Sequence, residues 1–434
     1  MQYPLSIVGL FIAVFVCTYF LIFTEKIHKT LAALLGAVVI ISLGEAFGIF
    51  SYETISGFLD FETIVILIGM FILRGAGESV GIFHFLAIKV TKASRGEPSR
   101  LLLYLSLLTV LLSAIISNIV AIMIMGSLTM KIARDLDLDP KPYMITESIL
   151  ANLGGLMFLV SSVPNIMVGV AAEISFLGFL VVSVPLSLIL LGVTFFVFKR
   201  VFGKRVFGNG ESRVARVSIG SLDEWSVIKD KGKFYRSVAI MITVLVFFAI
   251  GDVLGVGLSV IAITGSVFML LVTGVDMEDA LRKVGWSTIF FIIGLFVIVG
   301  ALNEVGVLSR LAVLFTSGTG GNVPLSILSV LWVAGLTSAF VVDIPATAVL
   351  IPVVQDAAGL LGPGSFLLWW ALIFGIGLGA NFFPFSSSST IIGLKILRKK
   401  KHVSIKEYTK IGATVCTIQL VVASFYLIGL YLLL

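Results

Sequence analysis

Four clusters of Asn, Ser, Thr and Asp interrupt long apolar runs, and they are the residues whose types could do chemistry. The first runs from Ser113 to Ser117-Asn118. The second is Thr337-Ser338 through Asp343-Ile344-Pro345. The third joins Asn152-Leu153-Gly154-Gly155 to Ser161-Ser162-Val163-Pro164-Asn165. The fourth joins Asn381 to Pro384-Phe385-Ser386-Ser387-Ser388-Ser389-Thr390. Oxygens and amides of this kind suit the holding of a small ion. In hydrocarbon an unpaired backbone group costs several kcal/mol, so non-helical backbone survives only inside protein or beside a watery cavity. Gly, Pro and Ser at these points therefore predict two hairpin tips and two unwound helices. Each break exposes carbonyls that can hold a cation and amides that favour an anion.

Asp343 stands apart. A carboxylate near the bilayer centre costs about 2.5–3.5 kcal/mol on insertion scales, and no Lys or Arg lies within a helical turn of it in sequence. It either binds a cation or proton, or pairs structurally with a distant base or with the hydroxyls of Ser386–Thr390; the cost favours the first reading. Arg74 and Glu78, one turn apart at a helix end, are expected to form a local salt bridge. Glu147, near the start of its span, is expected to be solvated. The predicted centre offers no Lys or Arg, which suits a cation or proton better than a dicarboxylate, although helix N-termini bind anions without side-chain charge.

Enzyme chemistry finds no support. Cys17 and Cys416 lie in apolar segments, and His28, His84 and His402 have no ligand spacing. Phe207–Ser212 is glycine-rich but lacks the Gly-Lys-Ser/Thr of a phosphate loop. No nucleophile–base set is present, and no ATP site, so energy must come from an ion gradient or from the substrate's own.

The elements that position these residues follow from composition. Of 434 residues, 59% are hydrophobic and 12% charged, with mean hydropathy +1.15. Soluble domains carry about 25% charged residues, so the chain is a polytopic membrane protein in a lipid bilayer. Its net charge of +6 collects in alternate connections and reads as a topology signal rather than a nucleic-acid footprint. Spans of about 20 apolar residues are expected at Leu5–Phe23, Leu31–Phe50, Thr63–Gly75, Tyr143–Ala172 and Ile174–Phe198. The second half repeats them at Val238–Val253, Leu258–Val275, Trp286–Leu302, Phe366–Leu397 and Tyr408–Leu434. Two longer runs, about 101–132 and 324–361, are broken mid-way and read as re-entrant hairpins. The positive-inside rule makes the basic face cytoplasmic and places both termini outside, in a plasma-membrane protein.

The halves repeat. A shift of 225 places sets Phe61–Ala87 on Trp286–Ala312 without a gap; 11 of 27 positions are identical, including Gly69/Gly294, Gly75/Gly300 and Gly81/Gly306. Asn118 then matches Asp343, and Asn165 matches Thr390. Each half makes five crossings, so the second copy must be inverted. The expected organisation is a first repeat at 1–198, a basic linker at 199–236 and a second repeat at 237–434. The fold class is all-α, with two inverted repeats of about five transmembrane helices plus one hairpin each. Inverted repeats with interrupted helices are the signature of a secondary transporter.

The stretch Glu25-Lys26-Ile27-His28-Lys29-Thr30-Leu31 resembles the opening of the citrate-transporter-like ion-transporter superfamily, on its arsenite permease, sodium–proton antiporter and P-protein branch. Ala151–Gly155 with Pro164-Asn165-Ile166-Met167-Val168-Gly169 is similar to that branch's Asn-Ile-Gly-Gly … Pro-Asn-Ile-Met element. Ser338 to Asp343-Ile344-Pro345 is similar to its second tip. The resemblance covers essentially the whole chain. It implies a homodimer, an elevator-type mover carried on a scaffold, and an ion site drawn from Ser117, Asn118, Asn152, Asn165, Ser338, Asp343, Asn381, Ser388, Ser389 and Thr390. Na+ would sit at Ser117, Asn118 and Asp343, with Na+ or H+ as coupling ion and no other cofactor. Departures at Ile119, Ile344, Leu156–Phe158 and Phe382-Phe383 thin the sodium ligands. The expected function is secondary-active transport of a small ion, Na+/H+ antiport-like or arsenite/anion permease-like. A carboxylate symporter and an ion channel are the alternatives.

Overall fold

The computed structural model describes residues 3–24, 26–93, 97–206, 223–398 and 403–433. All regular elements among them are helical. The first half runs α1 (Leu5–Thr24), α2 (Lys29–Ala46), α3 (Tyr52–Gly57), α4 (Phe61–Ser79), α5 (Ile82–Ala93) and α6 (Pro98–Ile115). It continues with α7 (Asn118–Asp135), α8 (Pro140–Gly154), α9 (Val163–Ala171) and α10 (Phe176–Val206). The second half runs α11 (Lys231–Leu254), α12 (Leu258–Thr273), α13 (Met277–Lys283), α14 (Trp286–Glu304) and α15 (Val307–Gly318). It ends with α16 (Val323–Phe340), α17 (Asp343–Leu361), α18 (Leu367–Gly379), α19 (Ser388–Arg398) and α20 (Ile405–Leu433). Among the described residues each α-helix thus has a mate ten α-helices later. The mates of α4, α5, α6, α7 and α9 begin 225 residues on.

Packing repeats as well as order. A Cβ on Gly69 would stand 2.7 Å from the carbonyl carbon of Ala262, and one on Gly294 would stand 2.8 Å from that of Ala33. Absence of a side chain lets α4 press on α12 and α14 press on α2 in the same way. Gly81 (φ 85°) and Gly306 (φ 75°) turn the chain at matching places, in a region open to glycine because it has no Cβ. At the first of them α4 and α5 bend by 60°. These correspondences are consistent with inverted repeats.

Among the described residues, eight helices are long and apolar enough to cross a bilayer, or nine if the α4–α5 pair is one span. The runs expected as hairpins form α6–α7 and α16–α17, with tips at Ile116-Ser117 and Val341-Val342. The expected spans Tyr143–Ala172 and Phe366–Leu397 are each two helices with a break between: α8, a 3-10 turn at Leu159–Ser161 and α9, then α18 and α19. Ser162 caps α9 by accepting from the Asn165 amide at 3.4 Å, and Ser117 caps α7 by accepting from the Val120 amide at 3.3 Å. Of the expected linker, residues 207–222, including the Phe207–Ser212 stretch, lie outside the described residues, as do 399–402 of the last basic cluster. Its far end is held by Trp225, whose ring centroid lies 4.7 Å from that of Phe85.

The helices pack as two groups. In the first, α4 lies on α12 and α2 on α14, with α1 and α11 outside them. In the second, α6 and α7 pack on α8, α16 and α17 pack on α18, α19 packs against α7 and α8, and α9 against α17 and α18. The groups meet where α9 touches α4 and α17 touches α14.

Candidate functional site

A cavity of ≈ 160 Å³ lies between the two groups. The second group contributes Ser117 and Asn118 from the first tip, Asp343 from the second, Ser161 and Ser162 from the first break, and Ser387, Ser388 and Ser389 from the second. The helix breaks explain why these side chains converge. Capping requirements place Ser117 and Ser162 at helix starts, where orphan amides need an acceptor, and α17 and α19 also begin at the cavity. At the α17 start no neighbouring side chain caps the helix. The Asp343 carboxylate instead accepts from the Ile344 amide at 2.9 Å.

Behind the cavity a buried amide network ties the breaks together. Asn152 is its hub: its Oδ1 accepts from Ser387 Oγ and Ser389 Oγ, each at 2.9 Å, and from Asn118 Nδ2 at 3.3 Å. Its Nδ2 donates to Asn381 Oδ1 at 2.9 Å. Asn381 Nδ2 passes the chain on to Gln419 Oε1 at 3.0 Å, and Gln419 donates to Thr194 Oγ1 at 2.9 Å. A recess of ≈ 20 Å³ reaches inward past Asn118, Asn152, Asn165 and Asp343. Asn118 Oδ1 is buried without a hydrogen-bond partner, so with Ser117 Oγ and Asp343 it is an oxygen on offer to a cation.

Of the residues singled out in the sequence, Ser117, Asn118, Asp343, Ser388 and Ser389 line the cavity. Asn152 and Asn381 stand in the supporting network. Asn165 spends its amide on the break itself, donating to Gly155 O at 2.8 Å and Phe158 O at 3.1 Å. Ser338 and Thr390 are elsewhere: Ser338 donates to Ile376 O at 2.7 Å, and Thr390 pairs with the Tyr408 hydroxyl at 3.5 Å.

Three expectations are corrected. The cavity is not free of bases, because Lys29 at the start of α2 and Arg74 on α4 both line it. Neither forms an ion pair among the described residues; Lys29 Nζ stands 5.4 Å from the centroid of the Phe291 ring. Arg74 does not bridge to Glu78. Its guanidinium instead reaches the Val160 carbonyl in the first break, while its Nε is buried without a partner. Glu147 is buried rather than solvated, because every residue of α8 except Lys141 is enclosed; one oxygen accepts from Thr129 Oγ1 at 2.5 Å and the other has no partner. Among the described residues no group of three His, Cys, Asp or Glu could hold a metal.

Two vestibules approach this centre from opposite ends. One, ≈ 550 Å³, is lined by Glu78, His84 and Lys283 and shares Phe71, Arg74, Ser117, Ile119 and Thr288 with the cavity. The other, ≈ 490 Å³, carries Asp60, Phe296, Val299, Asn303 and Glu304 and shares no residue with it. Of these two vestibules the centre adjoins the one on the Lys283 side.

Known transporters resemble this chain in sequence and in fold. The chain is similar to an uncharacterized transporter of Mycobacterium tuberculosis, 31% identical over 421 residues, covering 96% of this chain and 97% of the relative. It is 26% identical to the P protein of Homo sapiens over 499 residues, covering 96% of this chain and 59% of that protein. Among solved structures, the Alcanivorax borkumensis YdaH transporter has the same fold, with a TM-score of 0.64 at 15% identity over 93% of this chain and 99% of the other. The citrate transporter family matches residues 19–375. With breaks, cavity and relatives in agreement, the chain belongs to the citrate transporter family, within the citrate-transporter-like ion-transporter superfamily, and is a membrane transporter rather than an enzyme.

Proposed function

We propose that the protein is a secondary-active transporter that carries a small anion by alternating access, with Asp343 binding the coupling H+ or Na+. The observation that carries this reading is the single cavity in which Lys29, Arg74 and Asp343 meet the breaks of four helices. Helix N-termini and guanidinium or ammonium groups favour negative charge. The two bases and the ionised acid leave the cavity one positive charge in excess. Protonation or cation binding at Asp343 leaves two, so the coupling ion and an anion strengthen each other's binding. That linkage is symport. A Na+/H+ antiporter could use the same acid, but Lys29 and Arg74 would repel its cation.

The first helix group serves as scaffold and the second as an elevator-type mover. An ionised, uncompensated Asp343 would resist passage through the low-dielectric interface, and neutralising it removes that barrier. The separation of the far vestibule from the cavity supports a carrier over a channel. With the basic face taken as cytoplasmic, both termini lie outside the plasma membrane, and the family likeness adds a homodimer.

Reconstituted protein should give saturable counterflow of one member of a panel of citrate, phosphate, arsenite and sodium. Asp343→Asn should fold, retain flux and lose its dependence on pH or cation. Channel-like currents without counterflow, or an Asp343→Asn variant with unchanged pH and cation dependence, would overturn the reading.

A further inference from the structure

We propose that Lys29 and Arg74 make anion recognition one-sided, so that the carrier binds its anion tightly from the Lys283 side and weakly from the other. The inference rests on the proposed anion-carrier function and adds a sidedness that the function does not require.

The scaffold contributes six residues to the cavity: Lys29, Leu67, Met70, Phe71, Arg74 and Thr288. The glycine contacts fix the mate of each. Gly69 meets Ala262 as Gly294 meets Ala33, so Ala33 corresponds to Ala262. Lys29, four residues earlier and first in its helix, therefore corresponds to Leu258, first in α12. Arg74 lies five residues after Gly69, and its mate is Val299. The other four keep their character: Leu67 matches Ile292, Met70 matches Leu295, Phe71 matches Phe296 and Thr288 matches Thr63. Both differences replace a cation by an aliphatic side chain.

Inverted repeats reach the opposite state by exchanging the roles of mated surfaces. With the mover displaced, the cavity would be walled by Leu258 and Val299 in place of Lys29 and Arg74. The two approaches differ in the same sense. The vestibule on the near side holds Arg74, Lys283 and His84 with Glu78, whereas the far one holds Asp60 and Glu304 and no base. Surface charge of one sign gathers or repels ions before they bind. Arg74 also touches the mover, through the Val160 carbonyl, so the cation is seated against the site and not merely near its mouth. An ammonium or guanidinium contact to an anion changes affinity by about tenfold to a hundredfold.

The test measures half-saturation from each face in proteoliposomes of known orientation, using radiolabelled citrate, phosphate and arsenite in parallel. Absence of saturable flux for all three would remove the anion-carrier function itself, and this inference with it. Given flux, wild type should show a half-saturation at least about tenfold lower from the Lys283 face. Lys29→Gln and Arg74→Gln should each raise it from that face and leave the far face within about twofold. Val299→Arg, which leaves both native cations in place, should lower it from the far face. Equal half-saturation from both faces in wild type, or variants that weaken both faces alike, would overturn the sidedness while leaving the transporter function standing.

Discussion

Removal of the Asn152 side chain gives the most direct measure of whether the four breaks act as one unit. Asn152 is buried and makes three hydrogen bonds of 2.9 Å, to Ser387, Ser389 and Asn381; its contact to Asn118 is longer, at 3.3 Å, and weaker. In Asn152→Ala, Ser387 and Ser389 still have each other at 2.7 Å, so one hydroxyl donor and the Asn381 carbonyl oxygen are left without partners. Interhelical hydrogen bonds in membranes contribute about 0.6 kcal/mol on average, which sets a floor near 2 kcal/mol for three. Two orphaned buried groups at about 1–3 kcal/mol each raise the expected loss to about 2–6 kcal/mol. The assay is thermal unfolding of the purified protein in detergent, followed by tryptophan fluorescence, in a cycle of Asn152→Ala, Asn381→Ala and both together. The coupling should exceed about 0.5 kcal/mol, the limit for independent sites. A loss below about 0.5 kcal/mol, or additive single changes, would refute the hub.

Gly294→Ala should cost about 1–3 kcal/mol through overpacking against the Ala33 backbone, and Gly69→Ala should cost the same against Ala262. Gly192→Ala in α10, where nothing lies within 4 Å of an added Cβ, should instead stabilise by about 0.5–1 kcal/mol; equal unfolding temperatures for all three would contradict the close-approach argument. Glu147→Gln keeps the acceptor for Thr129 and removes a charge with no partner, so its stability should stay within about 1 kcal/mol of wild type, whereas Glu147→Lys should lose several kcal/mol. Yield and thermal unfolding of the two variants check this.

Backbone features were readable from the chain because they follow from local chemistry. Gly, Pro and Ser gathered together within an apolar run mark a break, whereas single ones such as Pro185 and Pro352 stay inside helices, and three glycines recurring at one spacing mark a repeat whatever surrounds them. Lys29 escaped because a base at a helix start next to other bases reads as orientation, and only the packing of α2 on α14 carries it into the cavity. Arg74 escaped for a related reason. A nearby Glu78 offered a partner in sequence, but the unsatisfied carbonyl of Val160 lay closer in space. Glu147 looked solvated because it begins a span, yet α8 is enclosed on all sides from Pro142 onward. Ser338 and Thr390 lie away from the cavity lining, because hydroxyls in a polar cluster also bond neighbouring helices, here at Ile376 O and Tyr408.

Functional information in a repeat protein concentrates where the mates differ. Identical residues at matched places, such as Gly69 and Gly294, satisfy a need that both copies share, and close helix packing is such a need. Asn118 against Asp343, Lys29 against Leu258 and Arg74 against Val299 satisfy no shared need, since a fold that tolerates the neutral member in one copy would tolerate it in both. All three differences are differences of charge, and all three charged members line one cavity. The acid belongs to the second helix group and the two bases to the first. A displacement of one group against the other therefore changes the distance between charges of opposite sign in one state and has no counterpart in the other. Two states related by symmetry alone would be equal in energy. These three substitutions lift that equality, and they do so around one cavity.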